Sequence, residues 1–137
     1  MEKVKIDNDI KVLYVTAKTF PAGIPDAVAK LHQLFPFSTE RKIFGLSRPE
    51  NGGEIVYRAA AEEMEQGEAE KLGCETLIIK KGNYISLTIN DFRKDVTLID
   101  KAFKELLNQP GLDPQGYCVE WYATDEEAVK CMIRLDG

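Results

Sequence analysis

The most informative run of residues in this chain is Gly116-Tyr117-Cys118-Val119-Glu120-Trp121-Tyr122. It holds three aromatic residues and one acid with no basic residue, and this composition predicts a strand. Side chains alternate between the faces of a strand, so one face carries Cys118, Glu120 and Tyr122 and the other carries Tyr117, Val119 and Trp121. A carboxylate between a thiol and a phenol is poorly solvated and favours a cationic partner or a proton.

Two alternatives stay open for this stretch. Glu120 can lie on an edge strand and point into water. A bulge near Gly116 would reverse the two faces, which leaves the orientation of Trp121 undecided.

Composition bounds the class of protein. The 137 residues suffice for one domain, and we expect a single domain over residues 1–137. The net charge of -5 argues against direct nucleic-acid binding, which needs clustered Lys and Arg. No apolar run approaches the roughly 18 residues of a membrane helix, and Met1–Lys5 lacks the apolar core of a signal peptide. We therefore expect a cytoplasmic protein that does not bind membranes. The odd count of three cysteines fits reduced thiols.

Residue periodicity predicts the order strand, helix, strand, strand, an acidic connection, and then the same order again. The first unit has a helix that begins at Pro25 and ends at Pro36, and a hairpin that turns at Asn51–Gly53. Its predicted strands are Ile10–Phe20, Lys42–Ser47 and Glu54–Met64. His32, the only histidine, lies beside the apolar stripe of the helix, where a boundary or surface position is favoured over a catalytic role.

The second unit opens with strand-like residues from Glu75 to Asn90, in which Gly82-Asn83 predicts a kink rather than a hairpin. Asp95 caps the second helix, and Asn108–Gly111 ends it. The apolar stripe of this helix is Val96, Ile99, Phe103, Leu106 and Leu107. The strand at Gly116–Tyr122, a turn at Thr124–Ala128 and a last strand at Val129–Leu135 follow.

The repeated order predicts an α+β fold with a mostly antiparallel sheet and both helices on one face. It further predicts a tandem duplication with halves at residues 10–64 and 75–135 and a pocket between them. The acidic connection at Glu62–Lys71 is expected to be solvated, with room for a short helical piece. Its glutamates lack the ordered spacing of a metal site, so no metal and no cofactor is predicted.

Four short motifs lie in order along the chain: Ile43-Phe44-Gly45-Leu46, Tyr57, Lys81-Gly82-Asn83-Tyr84 and Val119-Glu120-Trp121-Tyr122. Together they resemble the GyrI-like small-molecule-binding family, whose fold is also the effector-binding domain of bacterial multidrug-sensing transcription activators. The resemblance covers residues 10–135. Family activators carry a DNA-binding domain in front, and only residues 1–9 precede the first predicted strand here, so we expect a stand-alone domain.

The resemblance implies a pocket in which a central Glu meets lipophilic cations. By position that residue is Glu120. The implied aromatic lining is drawn from Tyr57, Tyr84, Tyr122, Phe44 and Trp121. Cys118, two residues from Glu120 on the same strand, would face the same pocket. Some stand-alone members hydrolyse cyclopropane-bearing electrophiles, and for that reaction Glu120 would act as base and Tyr84, Tyr57 or Tyr122 as proton donor.

Three functions follow in order of preference. The first is binding of a hydrophobic, cationic drug or metabolite, and the second is hydrolysis in the same pocket. The third is inhibition of the DNA gyrase-inhibitor type, with the acidic run Glu62–Glu70 as contact surface. No Ser-His-Asp pattern or phosphate loop supports another enzyme class. A homodimer or a protein partner is left open.

Overall fold

The computed structural model describes residues 1–34, 41–50, 53–92, 95, 97–122 and 128–136. Within these ranges the chain is α+β, with three helices and eight strands. The strands are β1 (Glu2–Ile6), β2 (Ile10–Thr16), β3 (Ile43–Glu50), β4 (Glu54–Glu62), β5 (Glu75–Ile79), β6 (Gly82–Ile89), β7 (Cys118–Tyr122) and β8 (Val129–Arg134). The helices are α1 (Ile24–Gln33), α2 (Glu68–Leu72) and α3 (Thr97–Leu107). None of the described helices is long and apolar enough to cross a membrane.

The eight strands form one antiparallel sheet in the order β1-β6-β8-β7-β3-β4-β2-β5, and this sheet curls into a half-barrel. Its centre is the β3–β7 pair, where Gly45 lies directly opposite Glu120. The edge-strand alternative for Glu120 is therefore wrong, because β7 is hydrogen-bonded on both sides.

Helices α1 and α3 cover the same face of the sheet, which we call the helix face. Ala59, Gly45, Glu120 and Cys131 follow one another across four paired strands, and directly paired residues point to one face. Ala59 packs in the apolar cluster of α1 and Cys131 in that of α3. Glu120 consequently lies between the two helix clusters.

The opposite face, which we call the concave face, is closed by the curl of the sheet itself. Its cluster joins residues of central strands, such as Phe44 and Val119, to residues near both sheet edges, such as Ile6 and Ile79. The sheet therefore has an apolar layer on each side.

Two stretches of the sheet differ from the sequence prediction. Residues 75–90 form two strands rather than one. Strand β5 pairs with β2 at one edge of the sheet, whereas β6 pairs with β1 and β8 near the opposite edge. Lys80 and Lys81 separate them, and strand-like residues on both sides hid this break. The polar β1 was also not predicted, because its alternation is weak without the partner strand that buries Ile6.

The helix and turn predictions have mixed outcomes. The Thr97 amide donates to Asp95 Oδ1 at 3.1 Å, which confirms the predicted cap of α3. Leu107 is 55% exposed, so its place in the apolar stripe was wrong. His32 is exposed, as predicted. The predictions at Pro36, Asn51-Gly52, Val96 and residues 124–127 lie outside the described residues.

The acidic connection is more ordered than a solvated linker. It contains α2, and its carboxylates form ion pairs: Lys11 Nζ lies 3.4 Å from Glu63, and Arg41 Nη1 lies 2.6 Å from Glu68. Lys42 Nζ also lies 3.9 Å from Glu62. These pairs tie the run to the first half of the sheet, and Glu63 has only 6% of its side chain exposed.

Candidate ligand-binding site

Glu120 is the buried acid of the helix face. Only 9% of the residue is exposed. Its direct cross-strand neighbours are Gly45 on β3 and Cys131 on β8. Because Gly45 has no side chain, one side of the carboxylate is left open to a group from elsewhere.

Tyr57 of β4 fills this opening. A Cβ atom at Gly45 would overlap the Tyr57 hydroxyl, and it would lie 2.9 Å from Tyr57 Cζ and 3.1 Å from Glu120 Oε1. The Tyr57 phenol and the Glu120 carboxylate therefore meet over the same backbone position, and the glycine is what permits their approach.

Tyr122 approaches from the other side. It follows Glu120 by two residues on β7, so both side chains share a face, and its hydroxyl donates a hydrogen bond to Glu120 Oε1. The ring of Phe92 lies 5.5 Å from the Tyr122 ring, centre to centre. The acid is thus surrounded by two phenols with a third ring behind them.

The electrostatics of this site favour neutralisation of the acid. Burial raises the pKa of Glu120, and the hydrogen bond from Tyr122 opposes that rise. No described basic side chain forms an ion pair with Glu120. Burial also raises the pKa of Tyr57 and of Tyr122, and the negative charge of Glu120 adds to both rises. An uncompensated buried carboxylate takes up a proton or a cation.

Two thiols flank the acid without the properties of nucleophiles. Burial, with the Glu120 charge, raises the pKa of Cys118 to about 11 and that of Cys131 to about 12. Because a thiol must ionise to attack, both cysteines are unreactive at neutral pH.

The structure divides the predicted lining between the two faces. Tyr57, Cys118 and Tyr122 lie with Glu120 on the helix face. Phe44, Tyr84 and Trp121 lie on the concave face. Phe44 is paired with Trp121 in the sheet, their rings are 5.5 Å apart, and the Tyr84 hydroxyl donates to Lys80 O at 2.6 Å.

Sequence reasoning did not assign Gly45, Phe92 or Cys131 to the site. Gly45 belongs to the motif Ile43-Phe44-Gly45-Leu46, but its pairing with Glu120 depends on the register of the sheet, which no local pattern reveals. Two cavities formed by described residues lie away from Glu120: one of about 100 Å³ near Tyr117 and one of about 570 Å³ near Cys74. The pocket between the halves stays a prediction.

No protein-family model matches the chain, and no curated protein matches it in sequence. Solved structures share its fold over nearly the whole length, and three of them are described here. An integron cassette protein from the mobile metagenome of Vibrio cholerae is 15% identical, covers 98% of this chain and 94% of its own, and has a TM-score of 0.71.

The other two are 12% identical to this chain. The protein SAV2435 bound to tetraphenylphosphonium covers 99% of this chain and 93% of its own, with a TM-score of 0.69. A candidate bacterial transcription regulation protein from Staphylococcus aureus covers 99% of this chain and 97% of its own, with a TM-score of 0.61. At this identity the likenesses show a shared fold.

Proposed function

We propose that this chain binds hydrophobic organic cations on the helix face, with Glu120 as the counter-charge. The observation that carries the proposal is the carboxylate itself: it is 9% exposed, hydrogen-bonded by Tyr122 and without a described basic partner. The hydrogen bond from Tyr122 offsets only part of the cost of ionising Glu120, and a bound cation would supply the rest.

Hydrophobic cations suit the site better than small inorganic ones. Coulomb attraction to Glu120 is strengthened where the local dielectric is low. The faces of Tyr57 and Tyr122 would add cation–π attraction of roughly 0.5 to 2 kcal/mol per ring. Flat rings accept many shapes, so we expect broad specificity.

The strand order supports a duplicated, GyrI-like domain over residues 1–137. Read outward from the centre, one half runs β3-β4-β2-β5 and the other β7-β8-β6-β1. A helix follows the third strand of each series, α1 after β2 and α3 after β6. We propose repeats at residues 10–64 and 75–135 that match through β2-β3-β4 and β6-β7-β8, with β5 of the second repeat pairing with β2 of the first. Their pseudo-two-fold axis would pass between β3 and β7, beside Gly45 and Glu120.

The likeness to a tetraphenylphosphonium-bound protein supports the choice of ligand class. A lipophilic cation of this kind cannot neutralise its charge by losing a proton. An acid that ionises when the cation binds, together with aromatic faces, suits such a ligand, and the helix face of this chain holds residues of both kinds.

The proposal is tested by calorimetric titration with tetraphenylphosphonium. We expect Glu120→Gln to weaken binding at least tenfold, which is about 1.4 kcal/mol, because the amide keeps the shape and removes the charge. Glu105→Gln removes the same charge from an exposed position on α3 and serves as the matched control. Equal affinity of the wild type and Glu120→Gln would remove Glu120 from the site.

Hydrolysis is the second candidate, and the contact of Glu120 with two tyrosines favours it. Glu120 would take a proton from water while the hydroxyl adds to a cyclopropane carbon and a ring bond breaks. The released carbanion would receive a proton from Tyr57 or Tyr122. Tyr84 is not carried into this scheme, since it lies on the concave face. Mass spectrometry with a cyclopropane-bearing alkylator tests it, and turnover no faster than the uncatalysed rate would leave a binder.

Inhibition of the DNA gyrase-inhibitor type is the third candidate and has the least support. It relied on a free acidic surface, whereas Glu62, Glu63 and Glu68 are ion-paired within the chain.

A further inference from the structure

The cavity near Tyr117 lies on the concave face, on the side of the sheet opposite to Glu120, and has a volume of about 100 Å³. Three basic residues and one acidic residue line it, namely Arg48, Lys80, Arg134 and Asp113. The rest of its lining includes Tyr84, Tyr117, Ile78, Ile79 and Val119, of which Tyr84, Ile79 and Val119 belong to the buried cluster of the concave face. Its charge is thus opposite in sign to that of the helix-face site.

The single carboxylate of the lining is already neutralised. Asp113 Oδ2 accepts a hydrogen bond from Arg134 Nη1 at 3.1 Å, and its Oδ1 accepts one from the Gln115 amide at 2.9 Å. Arg134 Nε donates to Lys81 O at 3.0 Å. This network holds the cavity wall and leaves the positive charges of Arg48 and Lys80 in excess.

Those two cations are incompletely matched by other acids. Glu50 lies 3.4 Å from Arg48 Nε but forms a two-pronged pair with Arg58, so one carboxylate serves two guanidinium groups. Lys80 forms no ion pair within the described residues. In a chain with a net charge of -5, this is a local excess of positive charge.

One wall of the cavity holds a guanidinium group in a fixed position. The Arg48 guanidinium lies 4.1 Å from the centre of the Tyr117 ring, and its Nη1 donates to Gln115 O at 2.9 Å. These contacts hold the guanidinium in one orientation, and its Nη2, which forms no hydrogen bond within the described residues, is left to donate to an anion. A water needs about 10 to 15 Å³ of such space, so the cavity has room for several waters or for one small organic anion.

We propose that this concave-face cavity is a binding site for a small organic carboxylate with a compact apolar body. The carboxylate lies towards Arg48 and Lys80, and the body lies against Tyr84, Tyr117 and Val119. The site is separate from that of Glu120, because the strands of the sheet lie between them.

Benzoate is the probe, and amide chemical shifts in nuclear magnetic resonance spectra report its binding. We expect saturable shifts at Gly116 and Val119, which line the cavity. Lys80→Met should weaken binding at least fivefold, whereas Lys81→Met, which removes the same charge from the next residue and outside the lining, should stay within twofold of the wild type. Equal weakening by both variants, or no shift at the lining amides, would overturn the proposal.

Two further arms test the ligand class and the independence of the site. Inorganic phosphate at the same concentration should not displace benzoate, and displacement would mean a site for any anion without a role for the apolar wall. Glu120→Gln should keep its benzoate affinity, and Lys80→Met should keep its tetraphenylphosphonium affinity. A loss of affinity in either of these two measurements would overturn the claim of a separate site. Failure of tetraphenylphosphonium to bind the wild type would count against the helix-face proposal alone. Thermal melts of both variants confirm folding.

Discussion

The two faces of the five-residue strand β7 carry side chains in surroundings of opposite charge. The helix face receives Glu120 and Tyr122, an acid without a described basic partner. The concave face receives Val119 and Trp121, and Lys42 and Lys130 lie 5.5 and 6.0 Å from the indole ring. The difference shows how strand alternation separates charges of opposite sign. Adjacent residues point to opposite sides of the sheet, so the Glu120 carboxylate and the lysines near Trp121 do not neutralise each other.

The faces also differ in how much water reaches their charges. Glu120 is 9% exposed, whereas the Arg48 side chain is 31% exposed. Solvent and salt screen exposed charges much more than buried ones. Substitutions on the helix face should therefore have larger effects than those on the concave face.

The largest effect is expected from Gly45→Ala. The new methyl group must displace the buried Tyr57 phenol, and overpacking of this kind costs about 1 to 3 kcal/mol of unfolding free energy, measured by urea denaturation. Tetraphenylphosphonium binding should fall as well.

Two controls accompany this variant. Tyr57→Phe combined with Gly45→Ala should recover part of the loss, because it removes the overlapping hydroxyl. Gly116→Ala, near the concave-face cavity, should cost less, since its nearest atom, Asp113 O, would lie 3.2 Å away. A Gly45→Ala protein as stable as the wild type would show that the Tyr57 phenol does not lie over Gly45.

The next effect concerns pH. Burial raises the pKa of Glu120 in the folded state, so the folded protein holds this proton more tightly than the unfolded chain does. The stability from that proton is fully present below the unfolded pKa and is lost as the pH rises through the folded pKa. Glu120→Gln should therefore resemble the wild type at pH 4 and be more stable than the wild type at pH 8. Thermal melts at both pH values measure this difference. A wild type whose stability increases relative to that of the variant as the pH rises would contradict the prediction.

The smallest effect is expected at the concave-face stack. Tyr117→Leu removes the ring below Arg48 and should cost about 0.5 to 1 kcal/mol in urea denaturation. Tyr117→Phe should behave like the wild type, because the ring makes the stack and the hydroxyl forms no hydrogen bond within the described residues. A loss in Tyr117→Phe equal to that in Tyr117→Leu would assign the effect to the hydroxyl.

Local pattern was enough to predict much of the secondary structure. Alternation in residues 116–122 predicted the faces of β7 correctly, and Asp95 marked the start of α3. The hairpin of β3 and β4 followed from the turn signal between them. The break at Lys80-Lys81 was not predictable in this way, since each flanking strand is extended and apolar and only their partners differ.

Alternation along the chain is enough to assign each residue of β7 to one side of its strand, because backbone geometry forces a period of two. Strand pairing, in contrast, places Gly45 beside Glu120, brings Tyr57 over Gly45, and puts Tyr84 on the other face of the sheet. Pairing between strands far apart in the chain sets these positions, and such pairing depends on the packing of the whole sheet rather than on any local run of residues.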